Sequence, residues 1–199
     1  YLNGWTSTTI SVIYNGFSGS RYSLTMNEVS DFNGDGQKGN SLLYIPTEAE
    51  MDNMNFVDYT DQKTGKLIMS AADSRKAFTE WVNNDDYAKN HRGQYAERNS
   101  NLSNWEHEID LHLAQTIYNA QGLGKLEFTF DIINFANMLN KKWGASYSSA
   151  YNLSPLTVVS LSTDENGNRN PGYAFNNAKI NKSDISSRWH AQVGIRLTF

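Results

Sequence analysis

The chain of 199 residues contains no cysteine. This absence excludes a disulfide framework, a thiolate nucleophile and a cysteine-based zinc site. No apolar run reaches the roughly 18 residues that a transmembrane helix requires. The first residues, Tyr1–Trp5, also lack the basic and apolar regions of a signal peptide. An exported protein with this sequence would therefore be a mature form or a fragment.

The chain also lacks an excess of positive charge, since its formal net charge is −4. This balance gives no support for a nucleic-acid partner, which would favour a basic patch. Hydrophobic residues make up only 39% of the sequence, whereas aromatic residues alone reach 13%. Such a composition suits a membrane β-barrel, in which every second strand residue faces lipid and rings collect at the interfaces. It also suits a secreted carbohydrate-binding domain.

The final segment, Ser187–Phe199, alternates between apolar and polar side chains. Period-two alternation over this length predicts one extended strand with an apolar face and a polar face. A transmembrane β-strand needs about 9–11 residues that are apolar towards lipid and polar towards the lumen. The segment therefore predicts a transmembrane strand whose apolar face is formed by Trp189, Ala191, Val193, Ile195, Leu197 and Phe199.

Other segments show strand-like patterns, and together with the terminal segment they predict about seven strands. The first two flank a glycine-containing turn at residues 15–20 and predict a hairpin. Residues 30–104 show no sustained alternation, apart from a short helix predicted over Ser74–Trp81, and predict one long extracellular loop. Besides the terminal strand, the six predicted strands are Trp5–Tyr14, Arg21–Val29, Trp105–Tyr118, Lys125–Ile133, Pro155–Thr163 and Gly172–Ala178.

The lengths of the predicted connections alternate between short and long, which is typical of an outer-membrane barrel with short periplasmic turns and long outer loops. Counting back from a periplasmic C-terminus, each short connection falls inside and each long one outside. Polar strand residues would then face the lumen, namely Asp110, His112, Glu127, Asp131, Arg188 and Arg196. The rings of Trp5, Trp105, Trp143 and Trp189 are candidates for the two aromatic girdles. The short connections are 15–20, 119–124 and 164–170, and the longer ones are 30–104, 134–154 and 179–186.

The end of the chain resembles the C-terminal signal that the outer-membrane assembly machinery recognises. Its defining places are matched by Gln192, Gly194, Leu197 and Phe199. Further strings resemble the last third of TonB-dependent receptor barrels, and the nearest resemblance is to the Oar-like branch of Bacteroidetes type. These strings are Phe128–Asn134 with Asn137 and Leu139–Asn140, Arg92–Gly93, Glu97–Asn99, Asp110–Gln115, and Asp31–Gly36 followed by Leu43–Pro46.

The resemblance implies an all-β fold, an antiparallel transmembrane β-barrel in which residues 1–199 supply about seven strands. Family members have about 22 strands around a plug, so the chain resembles the C-terminal part of a larger receptor. The implied function is energy-coupled uptake or binding of an unidentified ligand at the bacterial outer membrane. The implied partners are outer-membrane lipid, the barrel assembly machinery and TonB, the last through a region that this chain does not contain. No cofactor is implied.

A calcium loop is the sharpest local motif, at Asp31-Phe-Asn33-Gly-Asp35-Gly36. Carboxylate and amide oxygens at alternate positions, followed by a glycine that permits a sharp turn, form the first half of such a loop. An EF-hand would need a bidentate glutamate at its twelfth position, where this chain has Leu42. A looser calcium site formed by Asp31, Asn33 and Asp35 stays open beside the alternative, a Gly/Asp-rich turn.

No arrangement of catalytic residues stands out, so we do not expect an enzyme. His107 and His112 point to opposite faces of a strand and could not share a metal. The sequence shows no nucleophile elbow, paired-carboxylate frame or phosphate loop. Two alternatives to a receptor remain: a non-transporting outer-membrane barrel, such as an adhesin or structural barrel, and a secreted soluble β-rich binding module.

Overall fold

The computed structural model describes residues 5–28, 31–118, 124–147 and 151–199. The fold is predominantly β, as predicted. The helices are α1 (Glu48–Asn53), α2 (Ala71–Asn84) and α3 (Phe135–Leu139), with a short 3-10 helix at Ala88–Asn90. The strands are β1 (Thr6–Phe17), β2 (Arg21–Glu28), β3 (Tyr44–Ile45), β4 (Tyr59–Thr60), β5 (Leu67–Met69), β6 (Gln94–Tyr95), β7 (Asn101–Leu102), β8 (Glu106–Tyr118), β9 (Lys125–Ile133), β10 (Asn152–Thr163), β11 (Arg169–Phe175) and β12 (His190–Thr198).

The chain divides into two compact units. The first, which we call the sheet unit, comprises residues 1–19, 104–148 and 181–199. The second, the inserted unit, comprises residues 20–103 and 149–180. The two parts of the inserted unit therefore interrupt the sheet unit, once between β1 and β8 and once between β9 and β12.

The sheet unit contains a four-stranded antiparallel sheet in the order β1-β8-β9-β12. Its strands have 12, 13, 9 and 9 residues. At one end Phe17 pairs with Glu106, and Ile133 pairs with His190. Both interruptions leave from this end, which we call the insertion end. At the opposite turn end Tyr118 pairs with Lys125; most of the predicted turn 119–124 lies outside the described residues.

The predicted hairpin between the first two strands is wrong. β1 pairs with β8 along its whole length, from Thr6–Ile117 to Phe17–Glu106. The physical reason is that this pairing aligns the apolar side chains of the two strands. On one face, Ile10 lies opposite Leu113 and Val12 lies opposite Leu111. β2 cannot serve as a wall strand, because Tyr22–Met26 are all buried and a strand buried on both faces needs a core on each side.

The prediction of seven strands in one antiparallel wall is also wrong, although every predicted strand exists. β2, β10 and β11 lie in a second sheet of order β11-β10-β2-β7 in the inserted unit. β10 runs parallel to β2 and antiparallel to β11. The predicted connection 164–170 is thus a hairpin turn inside the inserted unit, and residues 15–20 do not join paired strands.

The segment 30–104, predicted as one long loop, is largely folded. The predicted helix Ser74–Trp81 is confirmed and extends over α2, with the Ser70 side chain accepting from the Asp73 N–H at its start. Phe78 and Val82, one turn apart, are fully buried. They belong to a hydrophobic core that also contains Leu24, Leu43, Ile45, Leu156 and Val158.

Candidate lipid-facing surface

The register of the sheet unit puts most of its apolar side chains on one face. Leu113 of β8 faces Ile10 of β1 and Phe130 of β9, and Phe130 faces Val193 of β12. The adjoining row of Val12, Leu111, Ile132 and Ala191 is also apolar, whereas the row on the other side pairs Thr8 and Gln115 with Phe128 and Ile195. We call this the apolar face; its members are Ile10, Val12, Tyr14, Ile109, Leu111, Leu113, Ile117, Leu126, Phe128, Phe130, Ile132, Ala191, Val193, Ile195 and Leu197.

The apolar face is exposed along both outer strands. The side chains of Ile10, Val12, Val193 and Ile195 are 67%, 65%, 72% and 70% exposed. Soluble proteins seldom leave so contiguous an apolar surface in water, because about 25 cal/mol is lost for each Å² of apolar area that stays hydrated. The surface therefore needs an apolar environment.

The length of the apolar face is comparable with the apolar band of known outer-membrane barrels. Ala191 and Phe199 are separated by about 27 Å along an extended strand. A tilt of about 40° would reduce this to about 20 Å across the membrane, close to the roughly 25 Å apolar band of known barrels. All four strands reach the length of about 9 residues that such a crossing requires.

Aromatic side chains gather at the insertion end of the apolar face. The Tyr14 hydroxyl lies 2.7 Å from His107 Nδ1, and both Tyr14 and Trp105 stack on the His107 ring. Trp143 lines a cleft of about 270 Å³ together with Trp105 and His107. Trp189 directly precedes β12, in phase with Ala191. Such a band of amphipathic rings is typical of a membrane–water interface.

The predicted lumen-facing residues of the strands share the polar face, where all but Asp110 pair with a side chain of opposite acid–base character. His112 Nδ1 lies 2.5 Å from Asp131 Oδ1. Glu127 is 3.1 Å from the Lys125 ammonium and 3.7 Å from the Arg196 guanidinium. Asp110 contributes differently, since it accepts a 2.8 Å hydrogen bond from the Asn134 N–H. Arg188 precedes β12 and lies outside this network.

The His112–Asp131 pair was not predicted, although both residues were assigned to one face. Period-two patterns give the face of each side chain but not its cross-strand partner. The hairpin of β8 and β9 provides the missing information: once Tyr118 pairs with Lys125, an unbroken antiparallel ladder places His112 opposite Asp131.

The residues predicted as an assembly signal occupy three kinds of position. Gln192 faces Asp131 on the polar side, while Leu197 faces Leu126 on the apolar side and Phe199 is fully exposed. Gly194 faces Thr129 so closely that a Cβ at Gly194 would lie 2.5 Å from the Thr129 hydroxyl oxygen. Within the described residues, β12 pairs only on the side of β9. Its other edge is open to a further strand.

The predicted calcium residues lie in a hydrogen-bonded turn of the inserted unit. Asp31 accepts hydrogen bonds from the N–H groups of Gly34, Asp35 and Gly36. Asp35 accepts from the Asn40 amide at 2.6 Å and the Gln37 N–H at 2.8 Å, and the Asn40 bond chiefly lowers the pKa of Asp35. In the part of the chain that the structure describes, no group of three acidic or histidine side chains could hold a metal. The calcium site stays a prediction.

Comparison with protein-family models, with curated proteins and with solved structures gives no match. Among the described residues, no helix is both long and apolar enough to cross a membrane.

Proposed function

We propose that this chain is the C-terminal wall segment of a TonB-dependent, Oar-like receptor in the bacterial outer membrane. In this proposal the sheet unit supplies four neighbouring wall strands, and the inserted unit belongs to the extracellular side. The receptor captures an unidentified ligand outside and admits it when TonB-coupled energy displaces a plug. The motif resemblance of the sequence supports the choice of receptor class.

The observation that carries the proposal is the single apolar face of the sheet unit. Ile10, Leu113, Phe130 and Val193 form one row across all four strands. Their opposite face holds paired polar side chains, such as His112 and Asp131, which suits a hydrated lumen. A sheet that is mostly apolar on one side and mostly polar on the other fits a barrel wall between lipid and water.

The connectivity supports an orientation for this wall. Both long interruptions leave the insertion end, whereas β8 and β9 are joined by a short connection at the turn end. In outer-membrane barrels the long connections are extracellular and the short ones periplasmic. The proposal therefore puts the aromatic band around Trp105 at the outer interface and Phe199 at the periplasmic one.

The proposal is tested by isolating the protein that contains these residues from its own membranes. We expect it in the detergent-extracted outer-membrane fraction, at a mass several times 22.5 kDa. We also expect formaldehyde to cross-link it to TonB in cells, with a TonB-deletion strain as the control. Recovery near 22.5 kDa from a detergent-free soluble fraction would contradict the proposal.

A second candidate is a non-transporting outer-membrane barrel that displays an adhesive domain. The inserted unit favours it, because this unit has its own core around Phe78 and Leu156 and a second sheet. Such a protein would share the membrane fraction and the large mass. It would give no cross-link to TonB, and that result separates the two candidates.

A further inference from the structure

The sheet unit contains a cleft of about 650 Å³ at its insertion end. One wall is formed by α3 and the turn after it, and the other by the residues that precede β12. The side chains that matter to its chemistry are Met138, Lys141, Lys182, Asp184, Arg188 and Trp189.

The cleft is cationic in a chain whose net charge is negative. Lys141, Lys182 and Arg188 line it against one carboxylate, Asp184, whereas the whole chain carries a formal charge of −4. Lys182 donates a 2.5 Å hydrogen bond to the Lys141 carbonyl. The Lys141 ammonium and the Arg188 guanidinium have no ion pair among the described residues. These two charges are available to an anion.

Exposed apolar side chains surround these charges. Met138 and Trp189 are 37% and 45% exposed within the cleft, and the neighbouring Leu139 and Trp143 are 61% and 55% exposed. Free cations interleaved with exposed rings and aliphatic side chains are what a membrane interface favours, because the charges meet headgroups and the apolar groups meet acyl chains.

We propose that this cleft binds the phosphate groups of an anionic lipid in the outer leaflet, through Lys141, Lys182 and Arg188. The inference rests on the proposed function, since it requires the apolar face to lie in the membrane. Trp189 connects the cleft with the apolar face. It lines the cleft and, directly before β12, lies in phase with Ala191 and Val193 of the apolar face. A lipid held by its phosphate in the cleft could therefore place its acyl chains against the apolar face.

A free phosphate or another soluble anion would contact only the charged side chains of the cleft. It would use the cations but leave Met138 and Trp189 exposed to water. A lipid satisfies both, because its headgroup supplies negative charge and its chains cover apolar area. Because the cations and the exposed apolar side chains lie in the same cleft, we infer a lipid and not a soluble anion.

The test uses the full-length protein, purified in detergent and supplied with lipid A or with dephosphorylated lipid A. Bound lipid is counted by native mass spectrometry. The variant Lys141→Gln/Arg188→Gln removes the two unpaired cations, and Lys63→Gln/Arg98→Gln removes two exposed cations of the inserted unit as a matched control. Each interfacial charge is worth about a fivefold change in binding, so we expect the cleft variant to bind lipid A about 25-fold more weakly.

We expect the control variant to bind lipid A like the wild type, and dephosphorylated lipid A to bind as weakly as the cleft variant does. Equal binding by the cleft variant and the wild type would overturn the inference, as would equal binding of lipid A and dephosphorylated lipid A by the wild type. The outer-membrane level of each variant is measured in parallel. A wild type that is absent from the membrane fraction contradicts the proposed function, whereas normal insertion without lipid A binding contradicts only the cleft.

Discussion

Placing one arginine on either side of β12 tests the face assignment. Val193 lies near the middle of the strand on the apolar face and is 72% exposed. Its neighbour Gln192 lies on the polar face opposite Asp131. If the apolar face contacts lipid, Val193→Arg puts a charge near the bilayer midplane and costs about 2–4 kcal/mol. Gln192→Arg puts the same charge beside a carboxylate in the lumen and costs little.

The assay is the free energy of unfolding of the full-length protein in lipid vesicles, measured by denaturant titration. A difference of about 2–4 kcal/mol corresponds to roughly 30-fold to 800-fold in the folding equilibrium constant. Both variants introduce the same side chain and the same charge into the same strand, and the difference of about 2–4 kcal/mol exceeds the β-propensity difference of about 1 kcal/mol or less between the replaced residues. Equal costs for the two variants would refute the assignment of the faces.

The remaining predictions concern assembly and packing. Phe199→Ala should lower the outer-membrane level of the protein far more than its total synthesis, as seen by immunoblotting of fractions; equal surface levels would contradict an assembly role. Gly194→Ala should destabilise by about 1–3 kcal/mol, because the new Cβ would lie 2.5 Å from the Thr129 hydroxyl oxygen, and Thr129→Ala should relieve that cost in the double mutant. Arg75→Ala should destabilise the inserted unit by about 2–3 kcal/mol, because the guanidinium donates to three carbonyls at the end of α1; faster proteolysis than in the exposed control Lys76→Ala would show it.

Strand positions could be predicted from the sequence, whereas strand partners could not. The alternation in β8, β9 and β12 is local, and the structure confirms a strand at each predicted place. Pairing is non-local. β1 pairs not with β2, the next strand in sequence, but with β8, which follows the first part of the inserted unit in the chain. Chain proximity favours a hairpin in the absence of other information, but the match of apolar rows decides the pairing.

β2 shows why alternation alone wrongly predicts β2, β10 and β11 as wall strands. Ser23 and Thr25 alternate with Leu24 as lumen-facing residues would, yet both are buried. Their hydroxyl groups are satisfied inside the inserted unit, since Ser23 accepts from the Asn99 N–H at 2.9 Å and Thr25 lies 2.8 Å from the Ser154 hydroxyl. Small hydroxyl side chains with buried partners imitate a hydrated face.

The apolar face could be predicted from the sequence, whereas the cationic cleft could not. Val193 and Ile195 were assigned to the apolar side from phase alone, and the register confirms that they share it with Phe128 and Phe130. The cationic cleft was not predictable, because Lys141 and Arg188 are far apart in sequence and only Arg188 belongs to an alternating segment. The fold of the sheet unit, not a motif, brings them together.

Contact between the apolar face and lipid is tested most directly by a spin-label scan along β12 in native outer membranes. The chain has no cysteine of its own, so single cysteines from His190 to Thr198 can be labelled after any cysteines elsewhere in the protein are removed. We expect collisions with oxygen to peak at Ala191, Val193, Ile195 and Leu197, and collisions with a water-soluble relaxation agent to peak at the residues between them. Equal accessibility to the water-soluble agent on both faces would contradict a lipid-facing sheet.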